Sequence, residues 1–542
     1  MRRFNHFSQK IPLLCMLSVL LIVTGCKPQN DTAEKNKNQK RAQPVKRMTD
    51  LTGLEYASVT ELSALLKSQK MSSRMLVSYL LQRIDSMNKK NHTLNAVIEV
   101  NPDALALADQ LDLERLNGKI RGPLHGIPIM LKDNIDTGDR MQTTAGSLAL
   151  VGEPALQDAF LVKKLRDAGA IIIAKNNLSE WAAYRDSDIP AGWSARNGQT
   201  KNPHLLTANP CGSSSGSAVA VAAGFAPISI GTETNGSITC PAKVNGVVGM
   251  RPTLGLVSRS GIIPISHAQD TAGPIAQHVK DVALTLTVLA GRDSLDPDTA
   301  EAQTHAIDYT AFLKADGLKG QRIGYPKSYD LNGTTPFEKS LAKMREQGAI
   351  LIPIEPLEIN PKIFKAQKLI LAMDFKRELN LYLLTRKGLK VKSLADIIAF
   401  NKNNPGMLPN GKIAQQKTLE LAENTRFDPV LYQQHYDQYK AASRQAIDIR
   451  LSQNQLDALV DDYQALGLPA IAGYPGISVP NGINQHLPTA VYFYGTRWSD
   501  AKLLSMAYSF EQAIQAPMQP KFLAEQPKAR AEAANLLTES SQ

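Results

Sequence analysis

The stretch CGSSSGSAVAVAAGFAPISIGTETNGSI, Cys211 to Ile238, contains the fold in miniature. Ser217 to Ala223 is a run of small residues that predicts a tightly packed helix, and Pro227-Ile228-Ser229-Ile230 predicts a buried strand. On either side lies a cluster of small and hydroxyl residues. Cys211-Gly212-Ser213-Ser214-Ser215-Gly216-Ser217 precedes the helix, and Gly231-Thr232-Glu233-Thr234-Asn235-Gly236-Ser237-Ile238 follows the strand. Glycines beside serines at strand ends let backbone N–H groups converge on one point, which suits an anion or a developing oxyanion. Taken alone, each cluster also fits an ordinary Ser/Gly turn.

The alternation of helix and strand recurs upstream. Ile127-Pro128-Ile129-Met130-Leu131 predicts a buried strand whose polar end is Lys132-Asp133-Asn134. Asp158 to Ala174 predicts one helix–strand unit: Phe160, Leu161 and Leu165 on the helix, Gly169 as its stop, and Ile171-Ile172-Ile173 opening the strand. Leu62, Leu65 and Leu66 after a Thr60 cap, and Met75, Leu76, Tyr79, Leu80 and Ile84 after Ser72, predict two helices. Such alternation points to α/β architecture with a parallel or mixed sheet. No internal repeat and no second domain boundary stands out. Asp374 to Asp461 reads as mostly helical and polar on its outer face, a cap or insertion.

Three chemistries compete for these residues. Gly212-Ser213-Ser214-Ser215-Gly216 matches the G-x-S-x-G nucleophile elbow, but that motif needs a buried strand directly before it, and Leu205 to Pro210 reads as loop. Ser340-Leu341-Ala342-Lys343 matches S-x-x-K on a polar helix with no accompanying K-T-G, and neither cluster has the lysine and spacing of a P-loop. Lys132 offers the third. It sits at the C-terminal end of a buried strand, where α/β folds assemble sites, and desolvation lowers an amine pKa from about 10.4. A neutral lysine can activate a serine without histidine. A lysine paired with a carboxylate is the competing reading.

Gly122 to Ile129 with Lys132-Asp133-Asn134, Cys211 to Ala218, Gly231 to Ala242, Ala472 to Pro480, and Leu503-Leu504 to Glu511-Gln512 together resemble the amidase signature family. The resemblance runs over about residues 55 to 515 in the family's order. It implies a single large α/β domain, a mixed β-sheet flanked by α-helices, that hydrolyses a carboxamide through a Ser–cis-Ser–Lys triad without metal or organic cofactor. Position by position, Ser237 is the implied nucleophile and Ser213 the middle serine, 24 residues earlier, with Lys132 as the base. Backbone N–H groups of Thr234, Asn235, Gly236 and Ser237 form the implied oxyanion hole, and the peptide bond preceding Ser213 is implied to be cis.

Departures from the family pattern sharpen the substrate. Thr239 stands where an arginine is usual, which implies an uncharged or larger amide. With Gly192-Trp193-Ser194-Ala195-Arg196, it is similar to the peptide-amidase branch, which removes C-terminal carboxamides from peptides. Asp461-Asp462-Tyr463-Gln464 replaces a usual Ala-Pro-Thr and alters the local substrate wall.

The whole chain has 542 residues, 43% apolar and 20% charged, which excludes collagen-like and wholly disordered classes. Its formal charge of +11 is an N-terminal feature: residues 1–26 contribute +3 and residues 27–50 contribute +4, leaving +4 for all the rest. Arg2, Arg3 and Lys10 precede an apolar stretch from Ile11 to Thr24, too short for an ordinary transmembrane helix, which ends in Val23-Thr24-Gly25-Cys26. That order resembles a bacterial lipobox, with Cys26 as the lipidated residue and Lys27 resembling an outer-membrane address. The expected organisation is a signal peptide (1–25), a basic tether (26–50), an amidase domain (51–520) and a tail (521–542). It implies an exported protein held to the periplasmic face of the outer membrane by a lipid anchor at Cys26, with a small-molecule or peptide amide as substrate and no nucleic-acid partner. A transamidating amidotransferase subunit acting on charged tRNA, and an inactive amidase-fold binding lipoprotein, are the alternatives. Of the four cysteines, Cys15 leaves with the signal and Cys26 is acylated, so Cys211 and Cys240 remain as a possible pair. Sequence alone leaves their separation open. No His or Cys stands at zinc-site spacing from them, so no metal is expected.

Overall fold

The apolar runs that end on Lys132 and Ile230 are neighbouring central strands. In the computed structural model, which describes residues 48–90, 93–357, 360–462, 467–516 and 518–524, Pro128–Lys132 lies between Ile171–Asn176 and Ile228–Glu233 and is parallel to both. Parallel strands buried on both faces read as continuous hydrophobic runs, and every residue of Pro128–Lys132 is buried. The signal peptide, Cys26, the tether through residue 47, Tyr463, Gln464 and the tail from residue 525 lie outside the described residues.

Among the described residues, eleven strands form one mixed sheet. From edge to edge they are Val97–Val100, Ile171–Asn176, Pro128–Lys132, Ile228–Glu233, Thr271–Ala276, Val248–Arg251, Gly476–Asn484, Leu487–Tyr494, Ala458–Asp461, Arg322–Pro326 and Ile350–Ile354. Helices flank the sheet, and the described residues belong to one compact unit, Lys46–Gln542. This is the single α/β domain that the resemblance implied.

Several boundaries differ from the sequence reading. The central strand continues three residues beyond Ile230, because Gly231, Thr232 and Glu233 pair with Gly273, Ala272 and Thr271. The second Ser/Gly/Thr cluster therefore begins inside the sheet. The first helix is capped by Ser58 rather than Thr60: Glu61 N–H donates to Ser58 Oγ, and Ser58 N–H donates to the Glu61 carboxylate. The packed helix after the first cluster is Ser215–Ala222, starting two residues early. The helical insertion starts at Pro361, not Asp374. Asn360 caps it by accepting from Lys362 N–H, and its helices end with Pro429–Gln453. Ala458–Asp461 returns to the sheet as a strand. Ordered packing also passes residue 521, since Leu206 N–H donates to Leu523 O and Phe522 N–H donates to Pro203 O.

Candidate active site

Three chain segments meet where the parallel strands end. Lys132 is the last residue of its strand and is fully buried. Its Nζ lies 2.8 Å from Ser213 Oγ, 2.8 Å from Thr232 Oγ1 and 3.0 Å from Thr232 O. All these partners are uncharged. Among the described residues no carboxylate forms an ion pair with Lys132, so the competing lysine–carboxylate reading has no geometric basis. Burial pulls the Lys132 amine down to about 7, against a weaker upward pull from Asp270 and Glu233. A neutral amine has two N–H donors and one lone pair. Two donors to the Thr232 oxygens leave that lone pair facing the Ser213 hydroxyl.

The loop carrying Ser213, which leads into helix Ser215–Ala222, is held by its neighbours. The Gly212–Ser213 peptide bond is cis. Ser179 N–H donates to Ser213 O, and Ser214 N–H donates to Ser237 O, each at 3.1 Å. The second bond ties the two serine clusters directly to each other. Helix Ser215–Ala222 is buried along its whole length. Gly216 lets it sit against the backbone, since a Cβ there would come within 2.4 Å of both Ala96 O and Asn177 O. Cys211 and Cys240 form a disulfide with their Cα atoms 6.0 Å apart, closing the question that spacing left open.

The loop Thr234 to Ser237 is fixed at both ends. Glu233 Oε2 accepts from Ile238 N–H at 2.8 Å and from Thr239 N–H at 3.1 Å, while Thr239 Oγ1 lies 3.2 Å away. Fully buried Arg251 donates to Glu233 O at 2.9 Å and lies 3.6 Å from its carboxylate. At the other end Thr234 Oγ1 donates to Asp270 Oδ1 at 2.6 Å, and Gln269 Nε2 donates to Thr234 O. Asp270 also accepts from the N–H groups of Ile265 and Ser266, although burial holds its carboxyl above the usual range. Gly236 takes the positive φ of +72° that the loop requires. Ser237 is 8% exposed and Asn235 is exposed, so the site opens on this side.

Sequence reasoning missed Glu233, Arg251 and Asp270 as supports of the loop. Glu233 lay inside the cluster, but Arg251 and Asp270 become neighbours only through sheet pairing. Thr239 turns its hydroxyl to Glu233 and is fully buried. Arg196, from the stretch that resembles the peptide-amidase branch, reaches Glu99 and Asp133 instead of the serines. The set-aside motifs are structural: Ser214 Oγ donates to Thr232 O, and Lys343 pairs with Glu346 on the surface. Among the described residues no group of His, Cys, Asp and Glu is placed to hold a metal ion.

A cavity of about 330 Å³ adjoins this centre. Asn134, Thr232 and Thr234 line it beside the serine loops, and Ile262, Ile263 and Ile265 form an apolar wall. Asn134 Nδ2 donates to Thr232 Oγ1, while its Oδ1 is buried with no hydrogen-bond partner among the described residues. His267 and Glu378, in mutual contact, also line the cavity.

This mixed sheet, with its serine-rich loops at the ends of the parallel strands, is the frame of an amide hydrolase. The amidase family model matches residues 75–460. A peptide amidase from Stenotrophomonas maltophilia superposes with a TM-score of 0.81 at 44% identity, covering 86% of this chain and 98% of that one. A probable amidase of Arabidopsis thaliana is 38% identical over 96% of this chain and 99% of its own length. More distant is a subunit of the glutamyl-tRNA(Gln) amidotransferase of Moorella thermoacetica, 32% identical over 85% of this chain and 97% of its own. The chain belongs to the amidase signature family and is an amidase, a hydrolase of carbon–nitrogen bonds in amides.

Proposed function

We propose that this amidase removes the C-terminal carboxamide of peptides, with Ser237 as nucleophile, Ser213 as relay and Lys132 as base. The observation that carries the assignment is the buried amine of Lys132, 2.8 Å from Ser213 Oγ with only uncharged partners. Neutral Lys132 takes the Ser213 hydroxyl proton while Ser213 takes that of Ser237, whose oxygen attacks the amide carbonyl. The carbonyl oxygen becomes an oxyanion held by backbone N–H groups of Thr234, Asn235, Gly236 and Ser237. The proton returns along the relay to the amide nitrogen, the C–N bond breaks, and ammonia leaves an ester on Ser237. Water, deprotonated by the same relay, attacks that ester; the relay proton returns to Ser237 as the C–O bond breaks, and the freed carboxylic acid loses its remaining proton to solvent to become the carboxylate.

The likeness to a peptide amidase favours a neutral amide on a peptide-sized substrate; Thr239, buried against Glu233, supports the loop and does not line the cavity. The cavity beside Thr234 receives the residue bearing the amide: its isoleucine wall takes an apolar side chain, and the free Asn134 Oδ1 accepts a substrate N–H. Ammonia release across a panel of peptide amides, simple aliphatic amides and glutamine tests the reading. Peptide amides with an apolar last residue should show the highest kcat/KM, and Ser237→Ala should abolish release. Glutamine as the preferred substrate would instead support the second reading, part of an amidotransferase, which rests on the likeness to the Moorella thermoacetica protein. Failure of a fluorophosphonate probe to label Ser237 would support an inactive binding protein. The proposal extends to location: Cys26 carries a lipid that anchors the enzyme at the periplasmic face of the outer membrane. Incorporation of radiolabelled palmitate, lost in Cys26→Ser, tests the anchor, and membrane fractionation tests the address.

A further inference from the structure

The Cys211–Cys240 disulfide joins the two segments that carry the serines. Cys211 lies two residues before Ser213, and Cys240 lies three residues after Ser237. The covalent ring closed by the disulfide therefore contains both serines, helix Ser215–Ala222 and strand Ile228–Glu233. Each cysteine is tied into its own serine segment. Ser215 Oγ donates to Cys211 O, and Cys240 N–H donates to Gly236 O at 2.9 Å. Across the gap the segments share one backbone hydrogen bond, Ser214 N–H to Ser237 O. Ser214 Oγ also accepts from Thr232 N–H and donates to Thr232 O, and Asn245 Nδ2 donates to Pro210 O. Against these hydrogen bonds, which can stretch and swing, the disulfide adds a covalent tie next to Ser213.

We infer that the Cys211–Cys240 disulfide is a positioning brace that sets the Ser213-to-Ser237 geometry, beyond any general contribution to stability. The inference rests on the Ser–Ser–Lys reading above. Proton relay depends steeply on alignment, and a misplacement of about 1 Å costs on the order of 10²-fold in rate. Cys211 and Cys240 are both half-buried, so neither residue is sealed in the core, and thiol titration reports whether a small reductant reaches the bond. It lies outside the relay itself, and its loss leaves Lys132, Ser213 and Ser237 chemically intact.

The test compares oxidised enzyme, enzyme reduced with a water-soluble phosphine, Cys211→Ala, Cys240→Ala and the double variant. The phosphine is oxidised to its oxide with oxygen from water, while the S–S bond breaks and the two sulfurs take up protons. A thiol titration confirms the reduction. Turnover of a peptide amide and the rate of fluorophosphonate labelling at Ser237 are measured well below each form's unfolding temperature. The brace predicts a kcat about 10- to 100-fold lower with KM within about twofold, and labelling slowed in parallel. The double variant should match either single one, since the first substitution already removes the tie. Phosphine should have no further effect on the variants, and reoxidation should restore wild-type turnover. A lowered Tm with unchanged kcat and labelling rate would overturn the proposal and leave the disulfide a stabiliser only. Should a variant fail to fold, reduced wild type carries the comparison. Normal labelling without amide turnover in the oxidised enzyme would refute the substrate reading, and the labelling rate would still judge the brace.

Discussion

In the cluster from Cys211 to Ser217 the hydroxyls of Ser214, Ser215 and Ser217 all donate to main-chain carbonyls, of Thr232, Cys211 and Ile230. In the cluster from Gly231 to Ile238 the polar side chains act across the site: Thr232 holds Lys132, Glu233 holds the far end of the loop, and Thr234 holds Asp270. Ser237 and Asn235 are left towards the opening. The two runs are alike in composition. One is a packed floor whose hydroxyls satisfy buried backbone, and the other is a loop clamped at both ends so that its middle stays free. A serine's neighbours, more than its local sequence, decide whether its hydroxyl fills a structural bond or is available for chemistry.

That contrast can be broken most severely at Ser237. Ser237→Ala should lower kcat by about 10⁴-fold or more while leaving the near-UV circular dichroism intact, as expected for a nucleophile. Ammonia release on a peptide amide measures it, and residual turnover within tenfold of wild type would remove Ser237 from its proposed role. Ser213 belongs to the first cluster but faces Lys132, so it should behave as a member of the second. Ser213→Ala should cost about 10²- to 10⁴-fold in kcat, the range of general acid–base catalysis. A loss below about threefold would assign Ser213 to the floor.

The pH profile comes next in size. Lys132 must be neutral to act as base, and its amine is pulled down to about 7. Its protonation as pH falls removes the active form, so kcat/KM should drop about tenfold per pH unit below about 7 and level off above it. An acid limb centred near pH 4 would point to a carboxylate instead. The smallest effect on rate belongs to Ser214, which accepts from Thr232 N–H and donates to Thr232 O. Ser214→Ala should leave kcat within about threefold while destabilising the fold by about 1–3 kcal/mol, read by urea denaturation, because a buried N–H loses its acceptor. A large loss of kcat with unchanged stability would move Ser214 from floor to chemistry.

Much of this centre is legible in the sequence because its determinants are local. The apolar run ending on Lys132 and the small-residue helix between the clusters are patterns of a few residues, and the structure places them side by side around one sheet. The supports are not legible. Arg251 and Asp270 reach the loop through antiparallel pairing and a turn that no local pattern encodes. The pairing of Cys211 with Cys240 likewise depends on where the helix and strand between them return the chain. Some misses are readable in hindsight, however: Asn360-Pro361 is a helix-start signature, and Ser58 with Glu61 is a capping box. Thr60 mimics the cap because it also precedes the apolar positions, although it lies inside the helix.

Thr232 gives the site a mechanical property. Its carbonyl and hydroxyl both receive Lys132, its N–H and carbonyl engage Ser214, and its strand runs directly into the loop that ends at Ser237. The grip on Lys132 and the support of Ser237, the proposed base and nucleophile, thus share one strand. A displacement of that strand would therefore carry the partner of Lys132 and the root of the Ser237 loop by the same amount.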